Sequence, residues 1–138
     1  MPIKNRFSEL LPEITAWRRD LHEHPEILFE THRTSGIVAE KLKEIGCDEV
    51  VASKTPGAMQ AGGHDGHTAM LLGAAKYLAE TRNFDGDVLV IFQPAEEGGG
   101  GGREMVEDGM LERWGVEEVY GMHNWPGMAA GEYAIRSG

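Results

Sequence analysis

The feature that most constrains this chain is the run Val88-Leu89-Val90-Ile91-Phe92, set between Asp87 and Gln93. Five consecutive β-branched, aliphatic or aromatic residues leave no polar face, so the run predicts a strand buried on both sides, as in the middle of a helix-covered parallel sheet. Helices are available at suitable spacing. From Phe7 to His24, the residues Leu10, Leu11, Ile14, Trp17 and Leu21 recur at steps of three and four, which predicts an amphipathic helix ending before Pro25. A second helix has Thr31 or Thr34 as its cap, Ile37, Val38, Leu42 and Ile45 as its buried stripe, and Gly46 to end it. A third starts near Asp65 and reaches about Thr81. Gly98 to Gly102 lead into a short helix around Glu104 to Glu112, followed by strands over Val116 to Met122 and from about Glu132 to Arg136. Ser53 to Gly63 holds too many breakers for a regular element and reads as a loop. Helices alternating with buried strands predict an α/β fold with a helix-covered, mixed or mostly parallel sheet, in one domain over residues 1–138.

Charge and length narrow the function classes. With 13 basic against 23 acidic residues the formal net charge is −10, which repels a phosphate backbone and argues against nucleic acid as a partner. No apolar run approaches the roughly 20 residues that span a bilayer, and Met1 to Ser8 lacks the hydrophobic stretch of a signal peptide. The expectation is a cytoplasmic chain with no membrane partner. Cys47, the single cysteine, has no internal disulfide partner and reads as a small buried hydrophobe in a reducing compartment. The glycine run lacks the Gly-Lys-Ser/Thr ending of a phosphate-binding loop.

Three polar clusters fall just beyond the ends of the apolar elements: Gly63 to His67, Pro94 to Glu97, and His123-Asn124. Ligands of open α/β sheets gather at strand ends, so these loops are candidates for one site. Histidine and carboxylate form a ligand set for zinc, manganese or nickel, and such a metal lowers the pKa of a water toward about 7. His64, Glu97 and His123 are the candidate ligands. Glu96 is the candidate general base, taking a proton from that water and passing it to a leaving amine. The competing reading of Glu96 and Glu97 is a solvated surface pair. His67, three residues after His64, has either a packing or capping role or a catalytic one and is not assigned to the metal. Asp65 either caps the third helix or orients His64, and His22, His24 and His32 read as structural.

Four stretches together resemble the M20 metallopeptidase family, in its hippurate hydrolase and N-acyl-amino-acid amidohydrolase branch. They are Trp17-Arg18-Arg19-Asp20-Leu21-His22-Glu23-His24-Pro25-Glu26, Gly63-His64-Asp65-Gly66-His67-Thr68-Ala69-Met70, Phe92-Gln93-Pro94-Ala95-Glu96-Glu97-Gly98 and Gly121-Met122-His123-Asn124. The resemblance implies a catalytic α/β domain holding a pair of divalent metals, with an inserted lid domain that also serves dimerisation. It implies Glu96 as general base and His64, Glu97 and His123 as ligands, acting on N-acyl amino acids through a metal-activated water.

Departures from the family pattern carry their own expectations. Where that branch reads His-Ala-Cys-Gly-His, this chain reads Gln60-Ala61-Gly62-Gly63-His64, so the family's thiolate ligand is replaced at Gly62 and one metal is expected where the family has two. Val51 runs almost directly into Ser53-Lys54-Thr55-Pro56-Gly57, which implies an internal deletion near residues 51–55, and the lid domain and C-terminal part are expected to be absent from this partial catalytic domain. Lost strands leave exposed apolar surface and open edges, so self-association is expected. Two readings stand: a metal-dependent amidohydrolase, and a catalytically inactive remnant of that fold with at most weak metal binding.

Overall fold

In a computed structural model of the chain, residues 3–26, 29–51 and 64–135 are described. The periodic apolar segments become helices close to where their spacing puts them. The first, α1 (Ile3–Glu23), buries Leu10 and Leu21 and continues through Pro12, although a proline removes one backbone donor. The second, α2 (His32–Ile45), buries Val38 and Leu42 and stops at Gly46, whose positive φ of 90° lets its N–H return to the Leu42 and Lys43 carbonyls. Neither threonine acts as its cap. Thr31 occupies the N-cap position without a side-chain capping bond, and the first-turn N–H groups of Arg33 and Thr34 donate instead to the carboxylate of Glu26, at 3.0 and 2.7 Å. A carboxylate is a strong acceptor there, and the positive end of the helix dipole favours its charge.

The third helix, α3 (His64–Thr81), packs on both α1 and α2. Its small residues let α1 come close: a Cβ on Gly73 would lie 2.5 Å from Cδ1 of Ile14. Val38 and Leu42 of α2 meet Leu72 and Ala75 of α3 in the core, with Trp17, Ile45, Cys47, Val50, Val90 and Phe92 packed around them. Burial raises the pKa of the Cys47 thiol, and the nearby Asp48 carboxylate adds to this. The expected helix over residues 104–112 forms as two pieces, α4 (Gly101–Glu107) and α5 (Met110–Trp114). Gly109 between them has φ of 78°, a conformation that ends one helix and starts another.

The α/β expectation is overturned, because among the described residues there is no strand and no sheet. Residues 87–93, 116–122 and 132–135 take part in no ladder. A strand needs its N–H and C=O groups paired with a neighbour, and side-chain preference cannot supply that neighbour. Val90 and Phe92 cover one side of the helical core, while Val88 and Leu89 remain 49% and 38% exposed. The second half of the run is therefore used in packing and the first half is not. The expected loop over 53–63, the suspected deletion beyond Val51, Gly62 and Arg136 lie outside the described residues.

Candidate metal centre

The first turn of α3 sets the position of the site. His64 and His67, one turn apart, share a face of the helix, and their ring centroids lie 5.3 Å apart, edge to face. Asp65 between them is 2% exposed. Its Oδ2 pairs with Nε of Arg18 at 2.7 Å and Nδ1 of His22 at 3.1 Å, so this carboxylate ties α3 to α1. A buried carboxylate demands such compensation. Arg18 and His22 are themselves one turn apart on α1, and that spacing was the available signal for their joint contact.

The turn after Phe92 brings in the carboxylates. Ala95 is buried and has φ of 45°, uncommon for a residue with a Cβ, and its carbonyl accepts the N–H of Gly101 at 3.4 Å. A Cβ on Gly101 would fall 1.9 Å from the Pro94 carbonyl oxygen, so only glycine lets α4 start against this turn. The turn leaves Glu97 Oε1 3.3 Å and Glu96 Oε2 3.7 Å from Nε2 of His64. Donor atoms of these three residues all lie within 4.8 Å of one another.

The third segment arrives at α3 through Asn124, whose backbone N–H donates to Nε2 of His67 at 3.1 Å. Beside it, His123 lies with its ring centroid 4.5 Å from that of His67 and 5.9 Å from that of His64. Nδ1 of His123 is 2.7 Å from the Asn124 carbonyl oxygen. A carbonyl only accepts, so Nδ1 carries the proton and Nε2 of the neutral ring keeps its lone pair. Burial lowers the pKa of His67, and the neighbouring His123 and His64 lower it further.

All four candidate residues, His64, Glu96, Glu97 and His123, therefore stand around one end of α3. The tightest donor set is His64, Glu96 and Glu97; His123 is adjacent to it. Ligands about 2.0–2.2 Å from one zinc ion are separated from each other by roughly 3–4 Å; the imidazole-and-carboxylate set fits a divalent cation in chemistry, and the two separations from His64 Nε2, 3.3 and 3.7 Å, fall in that range. Glu97 is the nearer of the two glutamates to His64 and the one within hydrogen-bond distance of it. Roles that sequence reasoning did not find are those of Arg18, as a partner of Asp65, and of the Asn124 backbone, as a partner of His67. Among the described residues no helix is long and apolar enough to cross a membrane.

A family model described as peptidase family M20/M25/M40 matches residues 41–138. The chain is 34% identical to an N-acyl-L-amino acid amidohydrolase of Geobacillus stearothermophilus over 174 residues, taking in 96% of this chain and 46% of the relative. It is 34% identical to a hippurate hydrolase of Campylobacter jejuni, over 94% of the chain and 44% of that protein, and 33% identical to an N-acetyl-L-cysteine deacetylase of Bacillus subtilis, over 95% and 41%. The chain thus spans less than half the length of these relatives. The first aligned stretch, 174 residues, is also longer than the 138 residues of the chain itself. No solved structure matches.

Proposed function

Because the chain belongs to peptidase family M20/M25/M40, we propose that it carries the divalent-metal site of a hydrolase that cleaves the amide bond of N-acyl amino acids. His64, Glu97 and His123 are the ligands in this reading, and Glu96 is the general base. The observation that carries it is the approach of two adjacent carboxylates, from a turn about thirty residues away, to within 3.3 and 3.7 Å of one imidazole nitrogen. The substrate class follows the relatives, whose names specify N-acyl-L-amino acids and hippurate.

A divalent metal held there would supply Lewis acidity, making water acidic enough to lose a proton near neutral pH. The chain's residues divide the remaining work. His64 and Glu97 contribute one neutral and one anionic donor from separate segments, and the Nδ1–H bond of His123 leaves its Nε2 free to bind. Glu96, in the same cluster, would take the water proton and return it to the departing amine.

A second reading, metal binding without turnover, is supported by the carboxylates, whose side chains are 47% and 51% exposed. Bulk water at a site weakens its electrostatics. The excess length of the aligned stretch supports an internal deletion, and thus an incomplete substrate site. Release of benzoate from N-benzoylglycine, with zinc or manganese present, separates the two. The hydrolase reading expects Glu96→Gln to slow release about 100-fold or more. Equal release by both proteins, at the background rate, selects the second reading.

A further inference from the structure

We infer that His67 is a positioning residue that holds His123 at the metal centre. This inference deepens the proposed reading, since it takes from that reading the role of His123 as a ligand. The contact itself stands independently of it. Nε2 of His67 lies 3.1 Å from the backbone nitrogen of Asn124, and a backbone N–H only donates. Nε2 must therefore present its lone pair, placing the His67 proton on Nδ1. The same ring meets His123 at 4.5 Å and 64° and meets His64 at 5.3 Å and 81°, so one side chain touches both histidines of the centre and the backbone that follows one of them.

The contact matters because the segment it anchors has little else to hold it. Tyr120 is 87% exposed, Met122 and Trp125 are largely exposed, and residues 116–125 join no ladder. His123 sits in the middle of that stretch. The α3 helix, by contrast, is packed against two other helices and pinned at Asp65. A hydrogen bond from the rigid element to the exposed one, at the residue next to His123, converts the fixed position of α3 into a fixed position for the imidazole. His67 spends its Nε2 lone pair on this bond and so is not a ligand through that atom.

Two measurements test the inference on the full chain. The first needs no metal and no variant: nitrogen-15 shifts of the His67 ring at pH 8 should show protonated Nδ1 and unprotonated Nε2. Protonated Nε2 would overturn the inference. The second is calorimetric titration with zinc of the wild type, His67→Phe and His67→Gln. Phenylalanine keeps the ring and removes the acceptor, and should weaken binding about 10–100-fold. Glutamine restores a side-chain acceptor and should recover most of the loss. Unchanged binding in His67→Phe, or equal losses in both variants, contradicts the positioning role. A wild type that binds no zinc contradicts the metal reading instead, and the ring tautomer then decides the His67 contact by itself.

Discussion

At the start of α2 the carboxylate of Glu26 accepts the N–H groups of Arg33 and Thr34. Burial works against its charge, but these bonds outweigh burial and hold its pKa below the ordinary glutamate value. Since the folded value is the lower one, the stabilisation is complete above the unfolded pKa and is lost as pH falls through the folded one. Glu26→Gln should therefore cost about 1 kcal/mol in urea unfolding at neutral pH, and the gap from wild type should close in acid. A gap that persists unchanged in acid would contradict the cap. Gly101 makes a second prediction at this scale. Its missing Cβ leaves room for the Pro94 carbonyl, so Gly101→Ala should destabilise by about 1–3 kcal/mol, read from the urea midpoint. Sequence alone placed a glycine run between Glu97 and the short helix, but not which glycine faces the Pro94 carbonyl. It did not disclose the Glu26 cap, because the acceptor lies outside the helix and eight residues before Thr34.

Between elements, the contact of α1 with α3 combines an apolar seam with one buried charge. Leu72 is 0% exposed within the shared core, so Leu72→Ala should cost about 2–5 kcal/mol in thermal or chemical unfolding. Asp65→Asn keeps the volume and removes the charge that Arg18 and His22 face. Its expected cost is about 1–3 kcal/mol, limited because both partners are about half exposed and can return to water. An Asp65→Asn protein as stable as wild type would remove this carboxylate from the account of how α1 docks. The three long helices were legible because their apolar period is local: Leu10, Ile14, Trp17 and Leu21 define a face without reference to anything distant. Val88 to Phe92 misled for the complementary reason. Its composition prefers a strand, but a strand is a relation between segments, and among the described residues nothing pairs with it. The residue types of the candidate cluster, histidine and glutamate, were legible in the sequence. The bond from Asn124 to His67 was not, since it joins a backbone group to a side chain 57 positions away.

Three segments distant in sequence meet at the N-terminal end of α3, and the last of them lies within a long exposed stretch, residues 116–135. Val119, Tyr120, Trp125, Tyr133 and Ile135 all present apolar surface to solvent, Ile135 completely. We propose that this stretch drives self-association, opposed by the net charge of −10 carried by each copy. Salt screens that repulsion, so light scattering should report a mass that rises with protein concentration and rises further with ionic strength; a constant monomer mass under all conditions would contradict the proposal. Whether the cluster holds a metal is read from the divalent metal content of the purified, dialysed chain, measured by elemental mass spectrometry for the wild type and for Glu97→Ala. The wild type should carry a stoichiometric metal and the variant should lose it, with its fold unchanged because Glu97 is half exposed. A wild type free of metal, or a variant that keeps it, would contradict the assignment of His64, Glu97 and His123 as a metal centre.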